Sequence, residues 1–251
     1  LEKRVYADRA KYLGDPDFVK VPVEPLISHA YLAKRIQGVH FDRISKTENI
    51  QPGLPESPET THFSIVDAYG NAVSNTYTLN MPFGSGVVIA EAGFLMNDEM
   101  DDFSTKPGVA NIFGVVGGKA NEIAPQKRML SSMSPTILLK NGNVEMVVGT
   151  PGGSSIITSV FQTIVNVIDK GMTAQKAVDA PRVHHQLLPK DVIMYHPDLP
   201  ADTRMDLAAM GYLLKRNNYL GDVQLIAKEH GQWQAASDDR GRGVSKVLTL
   251  D

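Results

Sequence analysis

Glu59-Thr60-Thr61-His62-Phe63-Ser64-Ile65-Val66-Asp67-Ala68-Tyr69-Gly70-Asn71-Ala72-Val73-Ser74-Asn75-Thr76-Tyr77-Thr78-Leu79-Asn80 is the stretch that decides how this chain is read. β-Branched and aromatic residues flank a turn segment, Asp67 to Asn71, that carries Gly and Asn. That is the pattern of a β-hairpin. With the turn centred on Tyr69, Thr60 falls opposite Thr78. Strand alternation then gathers Phe63, Ile65, Val73 and Tyr77 on one apolar face. Thr60, His62, Ser64, Ser74, Thr76 and Thr78 share the polar face. On periodicity alone, that polar face is expected to be the solvent face. A one-residue bulge would change the pairing.

Upstream, Ser45 to Glu59 has no hydrophobic period and carries Pro52, Gly53, Pro55 and Pro58. It reads as an exposed, mobile tether that stops abruptly at Thr60. Before it, Leu1 to Leu13 reads as a helix ended by Gly14-Asp15-Pro16. Pro25 to Ile36 reads as a second helix with Pro25 near its first turn. Leu1 is not an initiator Met and the chain opens inside a helix, so a longer polypeptide is expected.

Downstream, Val87 to Leu95 reads as strand with turn residues, and Asn97 to Phe103 as an acidic loop. Lys106 to Lys127, rich in Gly, Asn and Pro, reads as a long surface loop. A second hairpin is expected over Ser134 to Lys140 and Val144 to Thr150, running into Pro151-Gly152-Gly153-Ser154. Ile156, Val160, Ile164 and Ile168 recur at helical spacing. Thr173 is placed to N-cap a helix through Ala180, stopped by Pro181. The remainder alternates: strand Asp191 to Tyr195, helix Ala201 to Met210, strands Asp222 to Lys228 and Gln232 to Ala236. Strands in antiparallel hairpins with helices in packets between them predict an α+β layered sandwich rather than a Rossmann-type fold.

Composition narrows the function classes. The chain has 251 residues, 42% hydrophobic and 21% charged, with net charge −3 and no Cys. The charge gives no case for nucleic acid as partner. No apolar run approaches the roughly 18 residues of a membrane span. Disulfide and thiolate chemistry are excluded.

Four groups could carry chemistry. A threonine hydroxyl is a poor nucleophile until a base takes its proton. Making Thr60 N-terminal would supply one, because a free α-amine has a pKa near roughly 8 and sits beside its own Oγ. A cut at Glu59-Thr60 is needed for that, by attack of Thr60 Oγ on the Glu59 carbonyl. The plain alternative is that Thr60-Thr61 only begins a strand. The Gly152-Gly153 turn offers backbone N–H groups at a helix start, which suits an oxyanion hole. Alone, it reads more simply as a tight turn needing φ > 0. Glu99, Asp101 and Asp102 could bind a cationic group or form a solvated charge run. Adjacent acids point apart and no His lies near, so a metal is not expected there. Ser131-Ser132 could bind a carboxylate or shape a turn. His184-His185 reads as structural, since adjacent residues seldom chelate one ion.

Together these stretches resemble the γ-glutamyltransferases (γ-glutamyltranspeptidases). The resemblance is carried by Ala7-Asp8-Arg9, Tyr12 to Phe18, Thr60-Thr61-His62, Gly70-Asn71-Ala72-Val73 and Thr76-Tyr77-Thr78-Leu79-Asn80. It continues through Asn97 to Phe103, Lys127-Arg128, Ser131-Ser132-Met133-Ser134-Pro135-Thr136, Pro151-Gly152-Gly153-Ser154 and Ala180-Pro181-Arg182. It implies an N-terminal-nucleophile hydrolase with a four-layer αββα core, partial here because most of the large subunit is absent. Residues 1–59 would be the tail of the large subunit with its linker, and 60–251 the small, catalytic subunit. Cleavage between Glu59 and Thr60 would create Thr60 as nucleophile, with Thr78 as the second threonine. Gly152 and Gly153 would be the oxyanion donors. Asn80, Glu99 and Asp102 would hold the α-amino group of the γ-glutamyl substrate, and Ser131 and Ser132 would lie near its α-carboxylate. Many members carry Arg where Ser155 stands here. The resemblance implies glutathione and other γ-glutamyl compounds as donors, and amino acids or peptides as acceptors. It implies the large-subunit portion of the same precursor as partner, no metal or organic cofactor, and a periplasmic or secreted location. Related cephalosporin or glutaryl acylases, or an unprocessed and inert fragment, remain the alternatives.

Overall fold

The structure, a computed structural model, describes residues 1–47, 60–106, 108–109 and 117–248. In chain order its elements are α1 (Glu2–Tyr12), α2 (Val23–Ile27), α3 (His29–Ile36), β1 (Thr61–Val66), β2 (Ala72–Tyr77), β3 (Val88–Ile89) and β4 (Phe94–Leu95). There follow β5 (Thr136–Lys140), β6 (Asn143–Gly149), α4 (Ser155–Ile168), α5 (Ala174–Asp179), β7 (Val183–His184) and β8 (Val192–Tyr195). The chain continues with α6 (Ala201–Ala209), β9 (Leu213–Arg216), β10 (Gln224–Glu229) and β11 (Gln232–Ser237). This is the α+β mixture that the sequence predicts. Of the tether, residues 48–59 lie outside the described residues, as does part of the loop after Lys106. Its first residues are fixed rather than exposed and mobile: Thr47 is buried, with its N–H donating to Asp191 Oδ1 at 2.9 Å. The chain forms two compact units that interleave along the sequence. One takes Leu1–Ser57, Asp98–Ser131 and His184–Arg216; the other takes Pro58–Asn97, Ser132–Val183 and Asn217–Asp251.

The second of these units is layered. Its central sheet has the order β11-β10-β6-β5, with every neighbour antiparallel. Met146, Val148, Leu225, Ala227 and Ala236 point from one face onto Ile156 and Val160 of α4 and Ala174, Ala177 and Val178 of α5, forming the core. Each such large side chain contributes about 1.5–3 kcal/mol by leaving water, as an upper figure. Val147 is fully buried yet outside this cluster. Alternation turns it to the opposite face, where the β1–β2 hairpin packs on β6 and β10. Helices, sheet and hairpin therefore make three stacked layers.

The hairpin register is the one read from the symmetry about Tyr69: His62 pairs with Thr76, Ser64 with Ser74 and Ile65 with Val73. Its orientation is the reverse of the periodicity reading. The polar face is turned inward onto the central sheet, where His62 is buried and Ser74 Oγ donates to the Val148 carbonyl at 3.2 Å. Phe63, Ile65, Val73 and Tyr77 are the outer face, at 40, 52, 46 and 58% exposure. An alternating pattern says that the two faces differ. It does not say which is inside when the strand pair is one layer of several.

In the other unit, Lys3 anchors α1. Its buried Nζ donates to Asp191 Oδ1 at 2.9 Å and Thr47 Oγ1 at 3.3 Å, and to the Ser45 carbonyl. Arg128 grips Asp15 through Nη2–Oδ1 at 2.7 Å and Nε–Oδ2 at 3.1 Å, which holds the carboxyl far below its usual range. The single helix expected over Pro25 to Ile36 is two helices, α2 and α3. Ser28 breaks it, with extended backbone and with Oγ accepting from Tyr31 N–H at 3.2 Å. An N-cap there competes with continuing the helix. The strands β8 and β9 pair in parallel, Val192 beside Leu213, against the expectation of antiparallel hairpins only. The crossover a parallel pair requires is α6. His184 and His185 are buried, edge-on to Tyr6 at 5.8 Å and Tyr212 at 5.7 Å. Burial pushes their pKa values down to about 4 and about 3, so both are neutral packing groups.

Candidate functional site

Thr60 lies one residue before β1, and the register extends to set it beside Thr78. Thr60 Oγ1 donates to Thr78 Oγ1 at 3.3 Å, and Asn80 N–H donates to the same Thr78 oxygen at 2.8 Å. Asn80 is buried with φ at +75°. Asn adopts that left-handed region more readily than most non-glycine residues. Asn80 thus closes the strand end around the hydroxyl pair. His62, two residues from Thr60, fixes the strand. Its Nδ1 lies 2.7 Å from Thr76 Oγ1 and its Nε2 3.0 Å from Ser64 Oγ. Burial lowers its pKa to about 4, so it is neutral near pH 7.

The Gly152-Gly153 turn joins β6 to α4, with φ of +140° and +55°. Ser155 N–H donates to the Gly152 carbonyl at 3.1 Å and Ile156 N–H to the Gly153 carbonyl at 3.2 Å. The N–H groups of Gly152 and Gly153 precede this ladder and have no partner within it. A Cβ on Gly152 would stand 2.9 Å from Ser155 Oγ and 3.2 Å from Gly221 Cα. Glycine is therefore required on both counts, conformation and space. Ser155 caps this turn, with Oγ donating to the Gly152 carbonyl at 2.7 Å.

In the other unit, Glu99–Asp102 is a 3-10 turn rather than open loop. Burial, then the Glu99 charge, raises the Asp102 pKa to about 7, with Arg9 acting against the rise. Burial and the Asp98 charge also raise Glu99. A carboxylate poised this way gains when a cation arrives. Asn121, buried and not singled out from the sequence, ties this turn down. Its Nδ2 donates to the Asp102 carbonyl at 2.6 Å and its Oδ1 accepts from Leu130 N–H at 3.0 Å. The acidic turn and the residue before Ser131 are thus fastened by one side chain. The signal available was one of two Asn in a Gly-rich loop. Ser131 and Ser132 are half-buried, and the unit boundary falls between them.

Asp179, Asp238 and Asp239 each offer an oxygen within 4.8 Å of the others. However, Asp238 is already held by Arg182 and by Arg240 Nε at 2.7 Å. This geometry is that of a buried ion pair.

The family model described as gamma-glutamyltranspeptidase matches residues 1–248. A glutathione hydrolase proenzyme of Pseudomonas aeruginosa is 59% identical over 251 residues, covering 99% of this chain and 45% of that protein. A solved γ-glutamyltranspeptidase from Pseudomonas nitroreducens, complexed with L-DON, is 59% identical with a TM-score of 0.72; the match covers 75% of this chain and 100% of that one. A solved cephalosporin acylase from Bacillus halodurans is 26% identical with a TM-score of 0.80, covering 98% of this chain and 43% of that one. The chain spans less than half the length of the curated relatives it matches. Its fold is the α+β sandwich of these proteins, carried in part.

Proposed function

Because this chain belongs to the γ-glutamyltranspeptidase family, we propose that the protein to which it contributes is a γ-glutamyltransferase and glutathione hydrolase with Thr60 as nucleophile. The observation that carries this reading is the Thr60–Thr78 hydroxyl pair at 3.3 Å, on the buried face of a hairpin. Chain lengths support it as well. Residues 60–251 are 192 of 251, about 76% of the chain, and the solved γ-glutamyltranspeptidase chain is matched in full by 75% of it.

In this reading the Glu59-Thr60 bond is cut first, freeing the Thr60 α-amine. That amine takes the proton from Oγ as Oγ attacks the γ-carbonyl carbon of glutathione or a related donor. The carbonyl electrons move onto oxygen, where the Gly152 and Gly153 N–H groups receive them. Collapse expels the amine, which leaves with the proton, and a γ-glutamyl ester remains on Thr60. Water, an amino acid or a peptide then attacks the ester. Asn80, Glu99 and Asp102 are assigned to the donor's α-ammonium, and Ser131 and Ser132 to its α-carboxylate. No metal or organic cofactor enters. The rest of the precursor is the proposed partner of the exposed face formed by Phe63, Ile65, Val73 and Tyr77. The proposed location is periplasmic or secreted.

A second reading, a related acylase, is favoured by the likeness to the cephalosporin acylase across 98% of the chain. Acidic acceptors for an α-ammonium argue against it. Assay of the complete precursor on a chromogenic γ-glutamyl anilide, beside a glutaryl anilide that lacks the ammonium, separates the two. Preference for the glutaryl compound would select the acylase.

A further inference from the structure

The peptide plane that carries the Gly152 N–H also carries the Pro151 carbonyl. The plane of the Gly153 N–H carries the Gly152 carbonyl. In a trans peptide the two groups point in opposite directions, so holding the carbonyl on one side aims the N–H on the other. Both carbonyls are held by hydroxyls of the same turn. Thr150 Oγ1 donates to the Pro151 carbonyl at 2.7 Å, and Ser155 Oγ donates to the Gly152 carbonyl at 2.7 Å. Both side chains are buried, at 0 and 3% exposure.

The Thr150 hydroxyl is itself fixed. Asp222 N–H donates to it at 2.8 Å, which occupies a lone pair and leaves its single proton for the Pro151 carbonyl. Gly221 presses behind: a Cβ there would stand 2.6 Å from Thr150 Oγ1 and 3.1 Å from the Pro151 carbonyl oxygen. The Leu220 carbonyl just before it accepts from Ser159 Oγ at 2.9 Å and Arg182 Nε at 2.8 Å. A Gly-Gly turn needs such support, because glycine backbones cross between conformations at little steric cost. A donor turned away is lost to the oxyanion.

We propose that Thr150 and Ser155 are positioning residues, two hydroxyls that each lock one peptide plane and so aim the Gly152 and Gly153 N–H groups. This rests on the reading of those two amides as oxyanion donors. Each lock removes one way for the turn to present a carbonyl oxygen where an N–H is required. Its loss is therefore felt in the transition state and little in the bound ground state.

The test uses the full-length precursor, with rates normalised to the cleaved fraction. Thr150→Val keeps the side-chain shape without the hydroxyl, Ser155→Ala removes the other, and Thr150→Ser keeps a hydroxyl. Three quantities are read: kcat and KM on a γ-glutamyl anilide, inhibition by a glutamate analogue bearing a γ-boronic acid, and inhibition by glutamate. The boronate adduct on Thr60 is tetrahedral and anionic, so it reports the oxyanion donors; glutamate reports ground-state binding. Thr150→Val and Ser155→Ala should each lower kcat about tenfold, the scale of one net hydrogen bond. Boronate affinity should fall in the same proportion, with KM and glutamate affinity holding within about twofold. Thr150→Ser should return kcat to within about threefold. If Thr150→Val does not fold, Ser155→Ala carries the same test. Unchanged kcat and boronate affinity in the hydroxyl-free variants would overturn the proposal, as would a loss of glutamate affinity equal to the loss of kcat. Gly152→Ala separates this from the underlying reading. If it abolishes turnover in a folded protein while the hydroxyl variants are normal, only the positioning role fails. If it turns over normally, the oxyanion reading fails too.

Discussion

The imidazole of His62 lies flat against the backbone of Gly149. A Cβ on Gly149 would stand 2.2 Å from its Cε1 and 2.4 Å from its Nδ1. This contact couples the strand that begins just after Thr60 to the end of β6, three residues before Gly152. The ring has no room to retreat, being bonded to Thr76 and Ser64 at its two nitrogens. Gly149→Ala should therefore destabilise the precursor by about 1–3 kcal/mol, the usual cost of overpacking. In a His62→Ala background most of that cost should vanish. Urea unfolding of the four proteins measures it, and a Gly149→Ala variant as stable as its parent would refute the coupling.

Asp102 predicts a pH effect on affinity. With its pKa raised to about 7, it is neutral below that pH and cannot attract an α-ammonium, which stays protonated throughout. KM for a γ-glutamyl donor should rise as pH falls below about 7, approaching about tenfold per unit for a single proton. Asp102→Asn should hold KM high and flatten this dependence. The stability sign is opposite. The folded state binds the proton more tightly than the unfolded chain, so the unliganded fold loses this contribution as pH rises from the ordinary value of 3.8 towards about 7. A KM indifferent to pH in the unmodified protein would remove Asp102 from donor binding.

Arg182 and Asp238 form a buried pair, 2 and 0% exposed at the side chain. Arg182 also donates to the Leu220 and Gly221 carbonyls at 2.8 and 3.1 Å. Asp238→Ala removes the carboxylate paired with that guanidinium and leaves it buried beside Arg240, a loss of about 3–5 kcal/mol. Equilibrium unfolding is the measurement, and a loss below about 1 kcal/mol, the scale of a surface pair, would contradict it.

The sequence revealed what depends on short-range pattern. The Tyr69-centred register, the Thr173 cap and the strand–Gly-Gly–helix passage all follow from spacing and turn chemistry, and all are found. The inward polar face was hidden, because Phe63, Ile65, Val73 and Tyr77 look like core until the layers are counted. The parallel β8–β9 pair was hidden because Leu213-Leu214-Lys215-Arg216 is short and half charged. The break at Ser28 was present as a Ser three residues before Tyr31, but the start signal at Pro25 drew the helix across it. Of the candidate site, the hydroxyl pair was legible from symmetry. The contacts of Asn121 with Asp102, of His62 with Thr76 and Gly149, and of Thr150 with Asp222 join residues distant in sequence, which periodicity does not encode.

In the proposed reaction Thr60 becomes the N-terminal residue and carries the γ-glutamyl group. Mass spectrometry of the full-length protein, quenched in acid during turnover of a γ-glutamyl anilide, tests it most directly. The expected result is a peptide beginning at Thr60 and bearing a γ-glutamyl ester, both absent from Thr60→Ala, which remains uncut. A Thr60→Ala protein that still cleaves before residue 60, or a γ-glutamyl adduct on any other residue, would contradict it.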